Sequence, residues 1–141
     1  MRGDGDATSH QERIAARILE ILGSLNSEAL RQVLTDDVVL ELPFAPTEFG
    51  NRVVEGLENV LALMSRSKKV YRHLQFRITA RFPVPSAETI LFRATSEGVL
   101  LNGARYDNEY VQLFVFRGER VCHWAEFFDP IRAKEAFAKL D

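Results

Sequence analysis

Two stretches near the C-terminal end collect side chains able to do acid–base chemistry. They are Tyr106-Asp107-Asn108-Glu109-Tyr110 and His123-Trp124-Ala125-Glu126-Phe127-Phe128-Asp129-Pro130. In an extended strand, every second side chain shares a face. Trp124, Glu126 and Phe128 therefore stand together, as do Tyr106, Asn108, Tyr110 and Gln112. The two strands join through Arg117-Gly118-Glu119, and the loop length decides whether these faces coincide. A three-residue loop puts them together, whereas a two-residue loop sets Asp107 and Glu109 beside Glu126. The three-residue loop is preferred here, because it gathers the aromatic side chains on one side. Glu126 then sits in an apolar cage, where burial disfavours its charged form and raises its pKa toward the range of a general acid or base. The competing expectation is that Glu126 pairs with an arginine or serves a structural hydrogen bond.

The remaining reactive types are scattered. His73 lies on the polar side of its strand with Gln75 and Arg77, and is expected on the surface or at a dimer face. His123 alternates away from Glu126, and His10 is expected in solvent. Three dispersed histidines lack the clustering a zinc site needs. Cys122 has no base at hand and reads as a small buried hydrophobe. Asp36-Asp37 is expected to end a helix, and Arg13 and Arg17 to form a solvated helix face.

The elements that must position these groups change period halfway along the chain. Residues 1–8 are rich in Gly and Asp and read as a disordered tail, leaving one domain over 9–141. Ser9-His10-Gln11-Glu12 matches a capping box, so a first helix is expected from Ser9 to Gly23, with Ile14, Ile18, Ile21 and Leu22 at helical spacing. A short second helix carries Leu30, Val33 and Leu34. A strand follows from Val38 to Phe44, then a loop to Arg52. Gly56 opens a third helix with Leu57, Val60, Leu61 and Met64 on one stripe, and polar residues from Ser65 to Lys69 end it. From Leu74 the period is two. Leu74, Phe76, Ile78, Ala80 and Phe82 alternate with polar neighbours, as in a half-buried strand. Further strands are expected over Glu88–Ser96, Arg105–Phe116 and Arg120–Phe128, with turns at Pro83-Val84-Pro85-Ser86 and Asn102-Gly103. Asp129-Pro130 starts a closing helix with Ile131, Ala136, Phe137 and Leu140. Helices first and then an antiparallel meander make an α+β fold.

Composition excludes several classes. The chain has 141 residues, enough for one domain, and its apolar runs are too short to span a membrane. The first residues lack an apolar h-region, so a cytoplasmic protein is expected. Eighteen basic against twenty acidic residues leave no surplus for binding nucleic acid. A single cysteine excludes an internal disulfide and a multi-cysteine zinc site.

Phe116-Arg-Gly-Glu-Arg-Val-Cys-His-Trp-Ala-Glu-Phe-Phe-Asp-Pro130 resembles the final hairpin of the SnoaL-like branch of the nuclear transport factor 2 superfamily. Leu42-Pro43-Phe44-Ala45-Pro46, with Glu55-Gly56 further on, is similar to the same branch before its third helix. Tyr106-Asp107-Asn108 is similar to the phenazine-biosynthesis A/B subgroup. The resemblance runs from the first helix to Pro130. It implies a cone-shaped roll, three N-terminal helices packed on a strongly curved antiparallel sheet around a deep pocket, usually as a homodimer. It also implies acid–base chemistry with no metal or organic cofactor, with Glu126 as the acid/base and Tyr106 near the ligand. The tyrosine and aspartate set of ketosteroid isomerase, and the paired aspartates and arginine of the epoxide hydrolases, find no full match.

Two functions are therefore weighed. One is a cofactor-independent enzyme of isomerase, cyclase or dehydratase type acting on a small apolar cyclic or polyketide-like molecule. In it Glu126 moves a proton while Tyr106 and Asn108 hold the oxygen. The other is a ligand-binding or assembly module that keeps only the pocket. A protein-recognition module like nuclear transport factor 2 itself ranks behind both. The expected pocket is lined by Phe44, Met64, Tyr106, Asn108, Tyr110, Trp124, Glu126 and Phe128. The other face of the hairpin carries Val111, Leu113, Val115, Val121, Ala125 and Phe127. An apolar second face should be covered, and a homodimer is expected through it.

Overall fold

A computed structural model describes residues 2–86 and 88–138, with side chains from His10 onward. Helix α1 (Arg2–Ser24) buries Ala15, Ile18, Leu19, Ile21 and Leu22, the stripe that the helical spacing marks out. No proline stands upstream to stop the helix. It therefore runs past Ser9, and the capping-box residues lie inside it rather than at its start. Met1 and Leu140 lie outside the described residues.

The second helical segment is a 3₁₀ stretch, Ser27–Gln32, closed by the Val33 amide on the Leu30 carbonyl at 3.0 Å. Strand β1 begins already at Leu34 and runs to Glu41. Asp36 and Asp37 consequently lie in a strand and end no helix. Asp37 is exposed and meets Arg117 at 2.9 Å. A short strand β2 (Val53–Glu55) pairs back on β1, and α2 (Leu57–Ser65) follows with Leu57, Val60 and Leu61 buried. The meander is β3 (Tyr71–Phe82), β4 (Thr89–Leu100), β5 (Asn108–Arg117) and β6 (Arg120–Phe128). Helix α3 (Pro130–Phe137) starts at Asp129, whose side chain accepts from the Ile131 amide at 2.9 Å.

The six strands form one curved, unclosed sheet in the order β2-β1-β6-β5-β4-β3. All neighbours are antiparallel except β1 and β6, which run parallel with Leu34 opposite Val121 and Leu40 opposite Trp124. The architecture is thus α+β, as the sequence pattern implies, with a mixed sheet in place of a purely antiparallel one. Among the described residues, no helix is long and apolar enough to cross a membrane.

Two bulges in β3 redirect its side chains. One extra residue between Tyr71 and His73 turns Tyr71 onto the inner side, where it stacks on Tyr106 at 6.3 Å. A second shift between Ile78 and Ala80 reverses the alternation. Arg81 then lies over the buried ring of Phe92 at 5.7 Å, and Phe82 is left exposed.

The inner face of the sheet carries three zones. A large apolar cluster joins α1, β1 and α2 to Ile90, Phe92, Phe114, Phe116, Val121 and Trp124. A smaller one joins Leu100 and Tyr106 to Ala133 and Ala136 of α3. Between them runs a belt of polar groups, Ser96, Asn108 and Gln112, all buried. Gly98 sets the spacing at this end. A Cβ there would sit 2.7 Å from the Tyr106 carbonyl oxygen and 3.1 Å from the Tyr71 ring. Gly98→Ala should therefore force Tyr106 and Tyr71 apart and cost about 1–3 kcal/mol of overpacking. Urea unfolding checks this, and an unchanged midpoint would refute the tight approach.

Candidate active site

The β5–β6 hairpin brings the candidate residues together by a route other than the expected one. Its turn has two residues, Gly118 and Glu119, with Arg117 opposite Arg120. Gly118 takes φ +66°, the left-handed conformation open to glycine at no steric cost. A two-residue turn alone would give the unwanted parity. One extra residue on β6, Cys122, restores it: Phe116 faces Val121, whereas Val115 faces His123. Beyond this bulge Phe114 opposes Trp124, Gln112 opposes Glu126 and Tyr110 opposes Phe128. The bulge also corrects two assignments. Val121 turns into the core at 0% exposure, and Cys122 is half-buried instead of fully enclosed.

Glu126 is held by a chain of two hydrogen bonds. The Trp124 indole N–H donates to Gln112 Oε1 at 2.8 Å, and Gln112 Nε2 donates to Glu126 Oε2 at 2.7 Å. Indole nitrogen can only donate, so it fixes which end of the Gln112 amide faces Glu126. Oε2 is thereby committed as an acceptor, and a proton on the carboxyl belongs on Oε1. Among the described residues no lysine, arginine or histidine forms an ion pair with Glu126, which removes the expectation of an arginine partner. Burial pushes the carboxyl up from 4.5 to about 7, against the smaller pull of the Gln112 hydrogen bond.

Three tyrosines surround this carboxyl closely enough to feel its charge: Tyr71, Tyr106 and Tyr110. Burial, chiefly, raises all three phenols, Tyr106 to about 12, and each stays a neutral donor at physiological pH. Tyr106 accepts from Asn108 Nδ2 at 2.6 Å, and its phenol is also in hydrogen-bond reach of Tyr110. Tyr110 exchanges a hydrogen bond with Ser96 at 3.0 Å and packs against Phe76 and Phe128.

A cavity of about 1200 Å³ opens beside this group. Tyr71 and Phe128 belong to its wall, as does Leu42, which continues β1 just past the Glu41–Ala125 pair. Leu42 and Phe128 thus flank Glu126 in the sheet. Phe49, Val54, Leu63, Val70 and Phe137 add apolar surface, and Asn59, Arg66 and Ser67 add polar groups.

The expected pocket list needs correction at several positions. Phe44 is 54% exposed and packs edge-on against Phe127, outside the cavity. Met64 lies against the main core. The cavity side of α2 is its less apolar flank, Asn59, Ala62, Leu63 and Arg66, because the apolar stripe is used to bind the sheet. Trp124 is fully buried, stacked on Phe114, and reaches Glu126 only through Gln112. Asn108 is spent on structure: Nδ2 donates also to the Asp129 carbonyl, while Oδ1 accepts from the Glu109 and Asp129 amides. It ties Tyr106 to the start of α3 and has no N–H left to polarise a ligand oxygen. Of all the expected site residues Phe128 alone lines the cavity; Glu126 and Tyr106, the expected catalytic pair, are not part of its wall. Tyr71 and Gln112 are the residues missing from the list. Gln112 was legible from its parity with Tyr110, whereas Tyr71 depends on a bulge that alternation does not announce.

His73 is exposed, as expected. His123 faces away from the cavity and pairs with Glu41 at 3.0 Å on the outer sheet face. His10 lies near Glu119, both exposed. Among the described residues no group of three His, Cys, Asp or Glu side chains stands close enough to hold a metal ion.

Comparison with known proteins agrees with this architecture. Residues 15–124 match the SnoaL-like domain. A candidate isomerase from Bacillus subtilis superposes with a TM-score of 0.84 at 18% identity, covering 94% of this chain and 95% of that one. An epoxide hydrolase from M. tuberculosis superposes at 0.73 with 16% identity, covering 93% and 91%. A phenazine biosynthesis-related protein from Pseudomonas aeruginosa superposes at 0.72 with 14% identity, covering 96% and 92%. A search of curated protein sequences finds no match. With the family pattern spanning most of the sequence and the curved sheet backed by helices around a cavity, the chain belongs to the SnoaL-like domain family.

Proposed function

We propose that this protein is a cofactor-independent acid–base enzyme acting on a small, largely apolar cyclic molecule, with Glu126 as the proton carrier. The observation that carries the reading is the state of that carboxyl. It has no counter-cation among the described residues, it is held by one neutral amide, burial raises its pKa to about 7, and its neighbours Leu42 and Phe128 belong to the wall of a cavity. A general base works best when its pKa lies near the operating pH. As a carboxylate, Glu126 takes a proton from a carbon next to a carbonyl, and the electron pair moves onto the carbonyl oxygen. A phenol O–H then meets the developing oxyanion, and Glu126 returns its proton at a new position on carbon or oxygen. Tyr106 suits the phenol's part, because it is held by Asn108 close enough to Glu126 to feel its charge and stays neutral at physiological pH. Asn108 itself acts by holding Tyr106, a change from the role the sequence suggested. Tyr71, on the cavity wall, is the second phenol in reach of the same chemistry.

The family and its solved relatives support a small-molecule pocket. Glu126→Gln keeps the shape and removes the exchangeable proton, so it should retain ligand binding and lose turnover. If the variant turned over any substrate of the wild type at an undiminished rate, Glu126 would not be the proton carrier, and a binding or assembly role would take its place.

The same substitution has a stability signature that needs no substrate. Glu126 binds its proton more tightly folded than unfolded, so its contribution is fully present below pH 4.5 and is lost as pH rises through about 7. The difference between 4.5 and about 7 corresponds to roughly 3 kcal/mol. Wild type and Glu126→Gln should melt alike near pH 5, and the variant should melt higher at pH 8. Parallel melting curves across that window would show that the carboxyl is not held near neutrality.

We further propose that the protein acts as a homodimer in the cytoplasm. The single cysteine suits a reducing compartment. The outer face of the hairpin, opposite the cavity, carries Val111, 39% exposed, with Leu113, Val115 and Phe127 half-buried. Covering such a face with a second copy removes several apolar side chains from water, at roughly 1.5–3 kcal/mol each before association costs. Light scattering at micromolar concentration should give twice the chain mass, and Leu113→Glu should halve it while leaving the far-UV circular dichroism unchanged. A wild-type monomer would rule the dimer out.

A further inference from the structure

Arg66 is one of the residues lining the cavity, and no carboxylate pairs with it among the described residues. It follows α2 directly and opens the 3₁₀ turn Arg66–Lys69. Among the described residues its guanidinium has no ion pair or hydrogen bond. Elsewhere the surface arginines Arg31, Arg93, Arg105 and Arg117 each meet a carboxylate within 3.6 Å. Arg13, Arg77 and Arg120 also lack one, as do Arg52 and Arg72, which bond to backbone carbonyls, but none of these lines a cavity. Arg66 is therefore a strong unpaired donor fork among the residues of the cavity wall.

The local charge selects the sign of its partner. Lys68 and Lys69 stand on the same turn, and the chain carries no acidic residue between Glu58 and Glu88. Glu55 of β2 and Arg66 are the charged residues lining the cavity, and Lys68 and Lys69 add positive charge to the turn that carries Arg66. Ser67 adds a hydroxyl next to Arg66, while Phe128, Phe137 and Tyr71 present ring surface. A guanidinium matches a planar carboxylate with two parallel hydrogen bonds, and a partly enclosed site strengthens such contacts relative to open water.

We propose that Arg66 is the specificity residue of this cavity, and that the substrate is a cyclic apolar acid whose anionic group lies on Arg66 while its ring lies against Tyr71 and Phe128. This deepens the catalytic reading and rests on the cavity being the ligand site. The phenols near Glu126 then receive an oxygen of the ring system, and the anionic group stays at the basic turn, so the molecule enters in one orientation.

Two probes of the same shape separate charge from ring contact: 2-naphthoate and 2-naphthamide, titrated calorimetrically into the wild-type protein and into Arg66→Gln and Arg66→Lys. Arg66 is exposed, so these variants should fold, and a thermal melt confirms it. Naphthoate should bind the wild type more tightly than naphthamide. Arg66→Gln should weaken naphthoate about tenfold and leave naphthamide within about twofold. Arg66→Lys should keep part of the preference, since the charge remains but the fork is lost. Equal binding of the two probes by the wild type, or an equal effect of Arg66→Gln on both, would overturn the role of Arg66 and leave the cavity reading intact. Failure of both probes to bind the wild type would defeat the cavity reading, and this inference with it.

Discussion

The site depends on the parity of one hairpin. Side chains on paired strands meet only when both point to the same face, and the tight Gly118–Glu119 turn by itself sends Glu126 to the outside. The unpaired Cys122 adds the one residue that brings it back. Every later contact follows from that insertion. Trp124 turns into the core against Phe114, its indole N–H orients Gln112, and Gln112 fixes one oxygen of Glu126. The bulge thus links the packing of the largest core side chain to the protonation of a carboxyl two residues away.

The polar belt on the inner face illustrates how a buried network is kept from being a cost. Each group has a partner of the right polarity: Ser96 with Tyr110, Asn108 with Tyr106 and Asp129, Gln112 with Trp124 and Glu126. Buried polar groups left unpaired would cost 1–3 kcal/mol each, so these bonds hold one arrangement in place more than they add net stability. Glu126 is the exception, since among the described residues only one of its oxygens is hydrogen-bonded and no cation pairs with it. The network is complete everywhere except at the group proposed to react.

Much of this was legible in the sequence, and the failures share a cause. Strand alternation placed Glu126, Trp124 and Phe128 on one face with Tyr106 and Tyr110. The period of two survives any loop that keeps the parity, and here a short turn plus a bulge equals the longer loop that was expected. Alternation could not place Tyr71, Phe82 or Val121, because each lies beyond an inserted residue in β3 or β6. Hydrophobicity likewise identified the stripe on α2 but assigned it to the wrong neighbour. Leu57, Val60, Leu61 and Met64 serve the dry core, and the cavity takes the mixed flank that a core rejects. Phe44 was misplaced for a related reason. A large apolar residue in a loop has two surfaces to choose from, and it chose Phe127.

The parallel contact between β1 and β6 bears on how the molecule assembles. It sets Leu34 against Val121 and Leu40 against Trp124, joining the first strand to the last. The chain loop that it closes contains the rest of the sheet, so its entropy must be lost before the pairing returns any bonding energy. The β3–β4–β5–β6 meander, by contrast, is built of neighbours in sequence and can form on its own. Leu42, and with it the wall of the cavity beside Glu126, is in place only once β1 has docked. During synthesis on a ribosome β1 can pair with β2 at once, but its other edge stays open until the whole meander has followed it out.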